Sequence, residues 1–123
     1  MILQKGVYYI GDLCYVMDQE WEELCDLIEG NQYPDEGVYR FKDGRRFAIF
    51  NTAYGDGEYY DKQKRSYPVD SGTIGCIKVD DLTKEVDEAL GNVVEMPHDF
   101  YCYSDGKTVH FGNIAIRTDQ EKF

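Results

Sequence analysis

The stretch Val38-Tyr-Arg-Phe-Lys-Asp-Gly-Arg-Arg-Phe-Ala-Ile-Phe-Asn51 decides the fold, because two apolar and aromatic runs in it enclose Asp43-Gly44. Asp-Gly between such runs is a strong short-range signal for a β-hairpin, since the tight turn needs residues that accept positive φ. Two further hairpins are predicted from Glu58–Tyr60 with Ser66–Val69, and from Phe100–Tyr103 with Thr108–Phe111. The sequence therefore predicts a fold built mainly from antiparallel strands.

Other runs of β-branched and aromatic residues extend this pattern in both directions. Further strands are predicted at Thr73–Val79, Ile114–Arg117, Val7–Ile10 and Leu13–Met17. The last two form either one bent strand or two strands, with a kink at Gly11-Asp12. Gly75 predicts a bulge inside its strand. Pro68 lacks a backbone N–H and restricts its run to a sheet edge or a strand start.

Two segments change from a period of two to the spacing of a helix. In the first, the apolar stripe consists of Trp21, Leu24, Cys25 and Ile28. This stripe predicts an amphipathic helix over residues 18–29, with Asp18 as N-cap and Gly30 after its end. A second helix is predicted to begin near Asp80-Asp81 and to close at Gly91, with Leu82, Val86, Ala89 and Leu90 on its apolar side. The prediction is an α+β fold, a strongly bent antiparallel sheet with two amphipathic helices, in a single domain over residues 1–123.

The net charge of -11 comes from 24 acidic and 13 basic residues, and the acids are concentrated. Residues 1–36 hold nine acids and only Lys5, and residues 80–106 hold eight acids and only Lys84. The outer faces of both predicted helices are nearly all carboxylate. Such a surface repels nucleic acid and attracts basic proteins, so we expect a basic protein partner and no direct nucleic-acid binding.

Compartment and redox state are predicted from absences in the sequence. No apolar run approaches the roughly 18 residues that span a bilayer, and Met1–Gly6 is too short for the apolar region of a signal peptide. We therefore expect a cytoplasmic protein without membrane contact. Disulfides are not expected there, and Cys14, Cys25, Cys76 and Cys102 are interpreted as buried free thiols.

The stretches Tyr54-Gly-Asp-Gly-Glu-Tyr-Tyr60 and Tyr67-Pro-Val-Asp-Ser-Gly-Thr-Ile-Gly75 supply the candidate pocket. Their turn residues can project from strand ends into a shared cleft with other turn residues; the candidates are Asp12, Tyr54, Asp56, Asp70, Ser71, His98 and Asp99. Grouped carboxylates can bind a cation or raise one carboxyl pKa for acid catalysis. The alternative is that each Asp only hydrogen-bonds its own turn.

Known catalytic and cofactor motifs are not matched. The regular carboxylate ladder of calcium loops is missing around Asp56, and no phosphate loop surrounds Gly55. Asp70-Ser71-Gly72 resembles the motif of aspartic proteases, but one copy would work only in a homodimer. His98 or His110 would have to serve as a general base near neutral pH. We therefore predict no metal and no cofactor, and the residues favour a non-catalytic protein over an enzyme.

Three motifs together resemble small uncharacterised proteins carried by phages and bacteria: Gly11-Asp-Leu-Cys-Tyr15, Tyr54-Gly-Asp-Gly57 and Val69-Asp-Ser-Gly-Thr-Ile-Gly75. The resemblance covers about the first two thirds of the chain. It implies a phage origin, and with it a location in the host cytoplasm. Small acidic phage proteins often inhibit host machinery, some by imitating the charge of nucleic acid.

Three functions remain open on these grounds. The first is an inhibitor that sequesters a basic host protein, such as a nucleic-acid-binding or defence protein. Its contact residues are Glu20, Glu22, Glu23, Asp26, Tyr59 and Tyr60. The second is a small-molecule-binding protein or hydrolase that uses the Gly-Asp turns. The third is a virion or assembly component that forms homo-oligomers through an edge strand.

Overall fold

The computed structural model describes residues 2–29 and 37–119. These residues form eleven β-strands and one α-helix. The strands are β1 Ile2–Leu3, β2 Gly6–Gly11, β3 Val38–Arg40, β4 Arg46–Asn51, β5 Gly57–Asp61, β6 Ser66–Val69, β7 Thr73–Lys78, β8 Gly91–Met96, β9 Phe100–Ser104, β10 Thr108–Phe111 and β11 Ile114–Arg117. The helix, α1, is Trp21–Glu29, preceded by short 3-10 helices at Leu13–Tyr15 and Asp18–Glu20; a third covers Val79–Asp81.

The strands form two sheets in which every pair is antiparallel. The first sheet has the order β3-β4-β7-β2-β8, and the second has the order β1-β9-β10-β11-β5-β6. All three predicted hairpins are confirmed. The strands predicted at Thr73–Val79 and Ile114–Arg117 are also confirmed, as β7 and β11. Pro68 lies in β6, at the edge of the second sheet, as its missing N–H requires. The α+β class is confirmed, but the chain forms two sheets where one strongly bent sheet was predicted.

The two sheets enclose the main hydrophobic core between them. Successive side chains of a strand point to opposite faces, and the strands of the first sheet are apolar on both. On β4, Ala48 and Phe50 enter the core between the sheets, whereas Phe47 and Ile49 point to the other side. The second sheet contributes Phe100, Cys102, Val109, Phe111, Ile114 and Ile116 to the same core.

The outer face of the first sheet is covered by α1 and by the irregular segment 79–90. Leu24 of α1 is fully buried there, against a cluster that includes Tyr9 and Phe47. Leu82 and Val86 of the irregular segment pack against the same cluster. The protein therefore has three layers: a helix with an irregular segment, then the first sheet, then the second sheet. No helix in residues 2–29 and 37–119 is long and apolar enough to cross a membrane.

The second predicted helix is wrong. Only Val79–Asp81 is helical, as one 3-10 turn, and Leu82 already has extended dihedral angles. The Asp87 carboxylate accepts a hydrogen bond from the Ala89 N–H at 2.9 Å, a local bond that competes with helix formation. Gly91 begins β8, and its Cα–Cβ direction is occupied by the Tyr9 ring, so it serves close packing and no helix cap.

Four smaller predictions also need correction. Leu13–Met17 is not a strand, because Leu13–Tyr15 forms a 3-10 helix that the Asp12 carboxylate caps at the Cys14 N–H. β1 and β8 were not predicted. Gly75 lies in an unbroken ladder opposite Ile49 and Gly11, without a bulge. Helix 18–29 is confirmed as a 3-10 turn followed by α1, and its predicted end at Gly30 lies outside the described residues. The predicted N-cap is wrong: Asp18 is the first residue of the 3-10 turn, and Met17 holds the cap position without a side-chain hydrogen bond.

Candidate functional site

The charge of the protein is concentrated in the layer that covers the first sheet. We call residues 18–29 and 79–90 the acidic layer; they hold eleven acidic residues and one base, Lys84. The rest of the sequence holds thirteen acids and twelve bases, so about ten of the eleven net negative charges belong to this layer. Its two segments are brought together because Leu24, Leu82 and Val86 share one apolar cluster.

Most carboxylates of the acidic layer are exposed to solvent. Those on the solvent side of α1 are Glu22, Glu23, Asp26 and Glu29, all exposed. None of them forms an ion pair within residues 2–29 and 37–119. Asp18 is bound by Lys84 Nζ at 3.1 Å, across the two segments. The predicted contact residues Glu22, Glu23 and Asp26 therefore lie on one open surface.

Glu20 differs from the other predicted contact residues because its carboxylate is already occupied. Arg45 binds both carboxylate oxygens: Nη1 donates to Oε1 at 2.9 Å, and Nη2 donates to Oε2. The Arg45 Nε donates to Asp43 at 2.8 Å, and its guanidinium lies 4.6 Å from the centre of the Phe41 ring. Glu20 thus anchors the acidic layer to the β3–β4 turn and is not a free contact residue.

Hydrogen bonds from Arg45 lower the pKa of Glu20 below its ordinary value of 4.5, against the opposing effect of burial. The folded state therefore gains stability from this carboxylate above that ordinary value, and loses it as the pH falls. Between about pH 5 and about pH 3 the wild type loses this contribution, whereas Glu20→Gln has none to lose. The free energy of unfolding should therefore fall by about 0.5–1 kcal/mol less in the variant than in the wild type. The difference is small because the ion pair is partly exposed. Urea denaturation across this range measures the difference. Glu23→Gln, at an exposed unpaired carboxylate, is the control and should follow the wild type.

Tyr59 and Tyr60, which were predicted to contact a partner, are not exposed. Tyr59 is 1% exposed and is part of the core between the sheets, so it cannot contact a partner. Tyr60 is half-buried and lies opposite Arg117 on the second sheet. The exposed tyrosines of the second sheet are Tyr101 and Tyr103. Tyr101 and Tyr103 therefore lie on the opposite side of the protein from the acidic layer.

The candidate pocket centres on Asp12, whose carboxylate is fully buried. Its Oδ2 accepts the N–H groups of Asp70 and Ser71, both at 2.7 Å. Its Oδ1 accepts the Ser71 hydroxyl at 2.8 Å and the Cys14 N–H at 3.0 Å. All four donors are neutral groups of the protein itself. Asp12 therefore ties the end of β2 to the β6–β7 turn, and its oxygens are not available to a substrate.

Two other predicted pocket carboxylates lie close to this centre but face solvent. Asp56 and Asp70 are exposed, and Asp56 Oδ1 is 3.7 Å from where a side chain at Gly72 would begin. The Cys14 thiol lies within their electrostatic reach. Burial raises its pKa to about 12, and the Asp12 carboxylate adds to the rise. A raised pKa disfavours the thiolate, which is the nucleophilic form of cysteine.

The remaining pocket candidates are separate from this centre. Tyr54 is 58% exposed. His98 lines a different cleft of about 500 Å³, whose walls also include the exposed Tyr101 and Tyr103. Asp99 lines the same cleft and accepts the Lys5 N–H at 2.9 Å. The structure thus joins Asp12, Ser71 and Asp70 in direct hydrogen bonds, places Asp56 nearby, and puts His98 elsewhere.

The side chains that could bind a metal ion or react as thiols are few. No group of three or more His, Cys, Asp or Glu side chains in the described part of the chain is arranged to hold a metal ion. The four cysteines are free thiols; Cys76 and Cys102 are buried, and Cys14 and Cys25 are only partly so. The cleft beside His98 was not predicted from the sequence. The sequence also did not predict that Arg40, Arg46 and Lys78 are neighbours on the first sheet.

Comparison of the chain with models of protein families, with curated proteins and with solved structures finds no match. Its function is therefore inferred from its own surfaces and sites.

Proposed function

We propose that the protein is a non-catalytic binding protein whose acidic layer occupies a basic surface on another protein. The observation that carries this proposal is the charge distribution, since eleven acids and one base lie in two short segments that pack side by side. Charge complementarity of this kind accelerates association and selects basic partners. The phage origin and the inhibitory role that the three sequence motifs suggest belong to the same proposal.

The spacing of the carboxylates on α1 further supports a partner that normally binds nucleic acid. Four acids lie within the nine residues of α1, a length of about 13.5 Å at the helical rise. This is about one negative charge per 3.4 Å, the axial charge spacing of one DNA strand. Glu22, Asp26 and Glu29 follow one another at intervals of four and three residues and so share a side of the helix. Their side chains are therefore suited to replace phosphates on a basic surface.

Charge reversal on α1 tests this proposal. The variant Glu22→Lys, Glu23→Lys, Asp26→Lys should bind the partner at least about 100-fold more weakly at low salt than the wild type. The partner is recovered from host lysate on immobilised wild-type protein, purified, and titrated at several salt concentrations. Duplex DNA should compete with the wild type for it, because both present negative charge to one basic surface.

The matched control reverses three exposed acids outside the acidic layer, as Asp56→Lys, Glu58→Lys, Asp70→Lys. Both triple variants have the same net charge, so a difference between them reports position. The control should retain binding within about threefold, because a distant exposed charge is screened. Equal losses in the two variants, or a partner that DNA does not displace, would contradict the proposal.

Self-association through an edge strand is a separate proposal from the sequence. Among the described strands, the sheet edges are β3 and β8 in the first sheet and β1 and β6 in the second. β8 carries Val93, which is 40% exposed, and this apolar edge favours pairing over the Pro68-bearing β6. Sedimentation analysis over a range of concentrations measures the mass: a concentration-dependent dimer supports this role, and a monomer throughout removes it.

A further inference from the structure

Three basic residues form a row across the first sheet. Arg40 of β3 lies directly opposite Arg46 of β4. The β4–β7 register, in which Phe47 faces Ile77, brings Arg46 beside Lys78. Lys78 in turn lies opposite Tyr8 of β2. Residues directly opposite in an antiparallel sheet point to the same face, so Arg40, Arg46 and Lys78 are neighbours on one face.

This face is the inner one, which points towards the second sheet. Tyr8 belongs to the core between the sheets, and its neighbours in the row must share its direction. At this end of the sandwich an open pocket of about 350 Å³ is lined by Tyr8, Arg46 and Lys78, together with residues of the β3–β4 turn. The Lys78 stem packs over Gly6, and Arg46 Nη2 donates to the Ile2 carbonyl oxygen at 2.9 Å. Arg46 and Lys78 are thus held at the pocket by the fold.

Among the described residues, no carboxylate pairs with the charges of this row. Within residues 2–29 and 37–119, no carboxylate lies within ion-pair distance of Arg40, Arg46 or Lys78. Like charges directly opposite on a sheet repel each other and destabilise it. The neighbouring Arg45 shows the contrast, since Glu20 and Asp43 both bind it. Arg46 and Lys78 therefore place positive charge at this pocket, without an ion pair among the described residues, in a protein whose net charge is -11.

The two carboxylates of the pocket leave this charge in place. Asp43 is bound to Arg45 through Nε at 2.8 Å. Asp81 also lines the pocket, and its backbone carbonyl oxygen accepts from Arg45 at 3.3 Å. The Asp81 carboxylate is not within 4.0 Å of any basic group among the described residues. Arg46 and Lys78 are therefore the groups with donors to offer to a ligand.

We propose that this pocket binds the phosphate group of a small phosphomonoester, held between the Arg46 guanidinium and the Lys78 ammonium. A planar guanidinium fork suits phosphate oxygens, and a second cation from the adjacent strand completes a two-sided contact. The volume of about 350 Å³ leaves room for an organic group beyond the phosphate. Asp81 of the acidic layer also lines this pocket, but neither Arg46 nor Lys78 belongs to that layer, so the site can be tested separately from the function proposed above.

Titration with inorganic phosphate, followed by two-dimensional ¹H–¹⁵N NMR, tests the site. The expected result is saturable shifts of the Gly6 and Lys78 amides and the Arg46 Nε–H, not reproduced by sodium chloride at equal ionic strength. Lys78→Met keeps the apolar stem over Gly6 and removes the charge. It should weaken phosphate binding about tenfold or more, because a charge-assisted hydrogen bond is lost. Without phosphate, the same variant should melt at the same or a higher temperature than the wild type.

Two further variants keep the result clear. Lys107→Met removes an exposed charge in the β9–β10 turn and should leave phosphate affinity unchanged. Arg40→Gln removes the end of the row and should weaken binding about twofold to threefold, since exposed charges act weakly. If Lys78→Met does not fold, the phosphate affinity of Arg40→Gln still tests the site. Shifts spread over all basic residues, non-saturable shifts, or equal affinity for wild type and both row variants would overturn the proposal.

Discussion

Asp12→Asn is expected to lower the free energy of unfolding by about 3–5 kcal/mol, because a buried network then loses its acceptor. Asp12 accepts on both oxygens, and Oδ2 alone receives the N–H groups of Asp70 and Ser71. Asparagine has one carbonyl oxygen. Its amide group must then face N–H donors on one side, whichever way the side chain is turned. Urea denaturation at neutral pH measures the loss.

Asp70→Asn is the matched control for this prediction. It makes the same chemical change one hydrogen bond away, at an exposed side chain whose backbone N–H is its contribution to the network. We expect it to stay within about 0.5 kcal/mol of the wild type, as most exposed substitutions do. If Asp12→Asn is no more destabilising than Asp70→Asn, the carboxylate does not hold the β6–β7 turn.

Gly75→Ala should be comparably severe, at about 3 kcal/mol or more, through steric overlap with backbone. A Cβ at this position would lie 2.2 Å from the Ala48 carbonyl oxygen and 3.0 Å from Leu13 Cδ1. The overlapped carbonyl belongs to β4, in the same ladder as Gly75, so neither strand can move without breaking sheet pairing. Thermal unfolding should show a correspondingly large drop in melting temperature.

Gly44→Ala separates this steric effect from the dihedral preference of glycine. Gly44 has a φ of +99°, and beyond its chain neighbours no atom lies within 4 Å of the place that a Cβ would occupy. Its replacement therefore reports backbone strain alone. The cost there should be about 1–2 kcal/mol. Should Gly75→Ala cost no more than Gly44→Ala, the close approach of β4 and β7 would not explain why glycine is needed.

The hairpins could be predicted because their signals are local. Asp43-Gly44 and Asp105-Gly106 form tight turns, and each turn brings the two runs that flank it side by side. The prediction of a second helix was wrong because the same spacing of apolar residues also fits a segment that is not helical. Leu82 and Val86 reach one apolar cluster from an irregular segment just as they would from a helix. An apolar spacing shows which residues are buried, and the backbone path between them is decided by tertiary contacts.

The candidate sites were harder to predict than the strands. The separation into two sheets depends on which hairpin neighbours which, and turn residues carry no such information. Asp12 was chosen because it follows Gly11, yet its role depends on bonds to residues 70 and 71, far along the chain. The basic row needs the β4–β7 register before Lys78 and Arg46 can be seen as neighbours. Tyr59 was predicted to contact a partner, but the alternation of side chains along β5 turns it into the core.

The separation of charge between the layers makes this protein a permanent electric dipole. An acidic layer with about ten of the eleven net charges lies on one side, and the sheet that carries Tyr101 and Tyr103 lies on the other. On a positively charged support the molecule should therefore adsorb in one orientation. The acidic layer would face the support and the tyrosine-bearing sheet would face the solution, so immobilisation by charge would hide one surface and display the other.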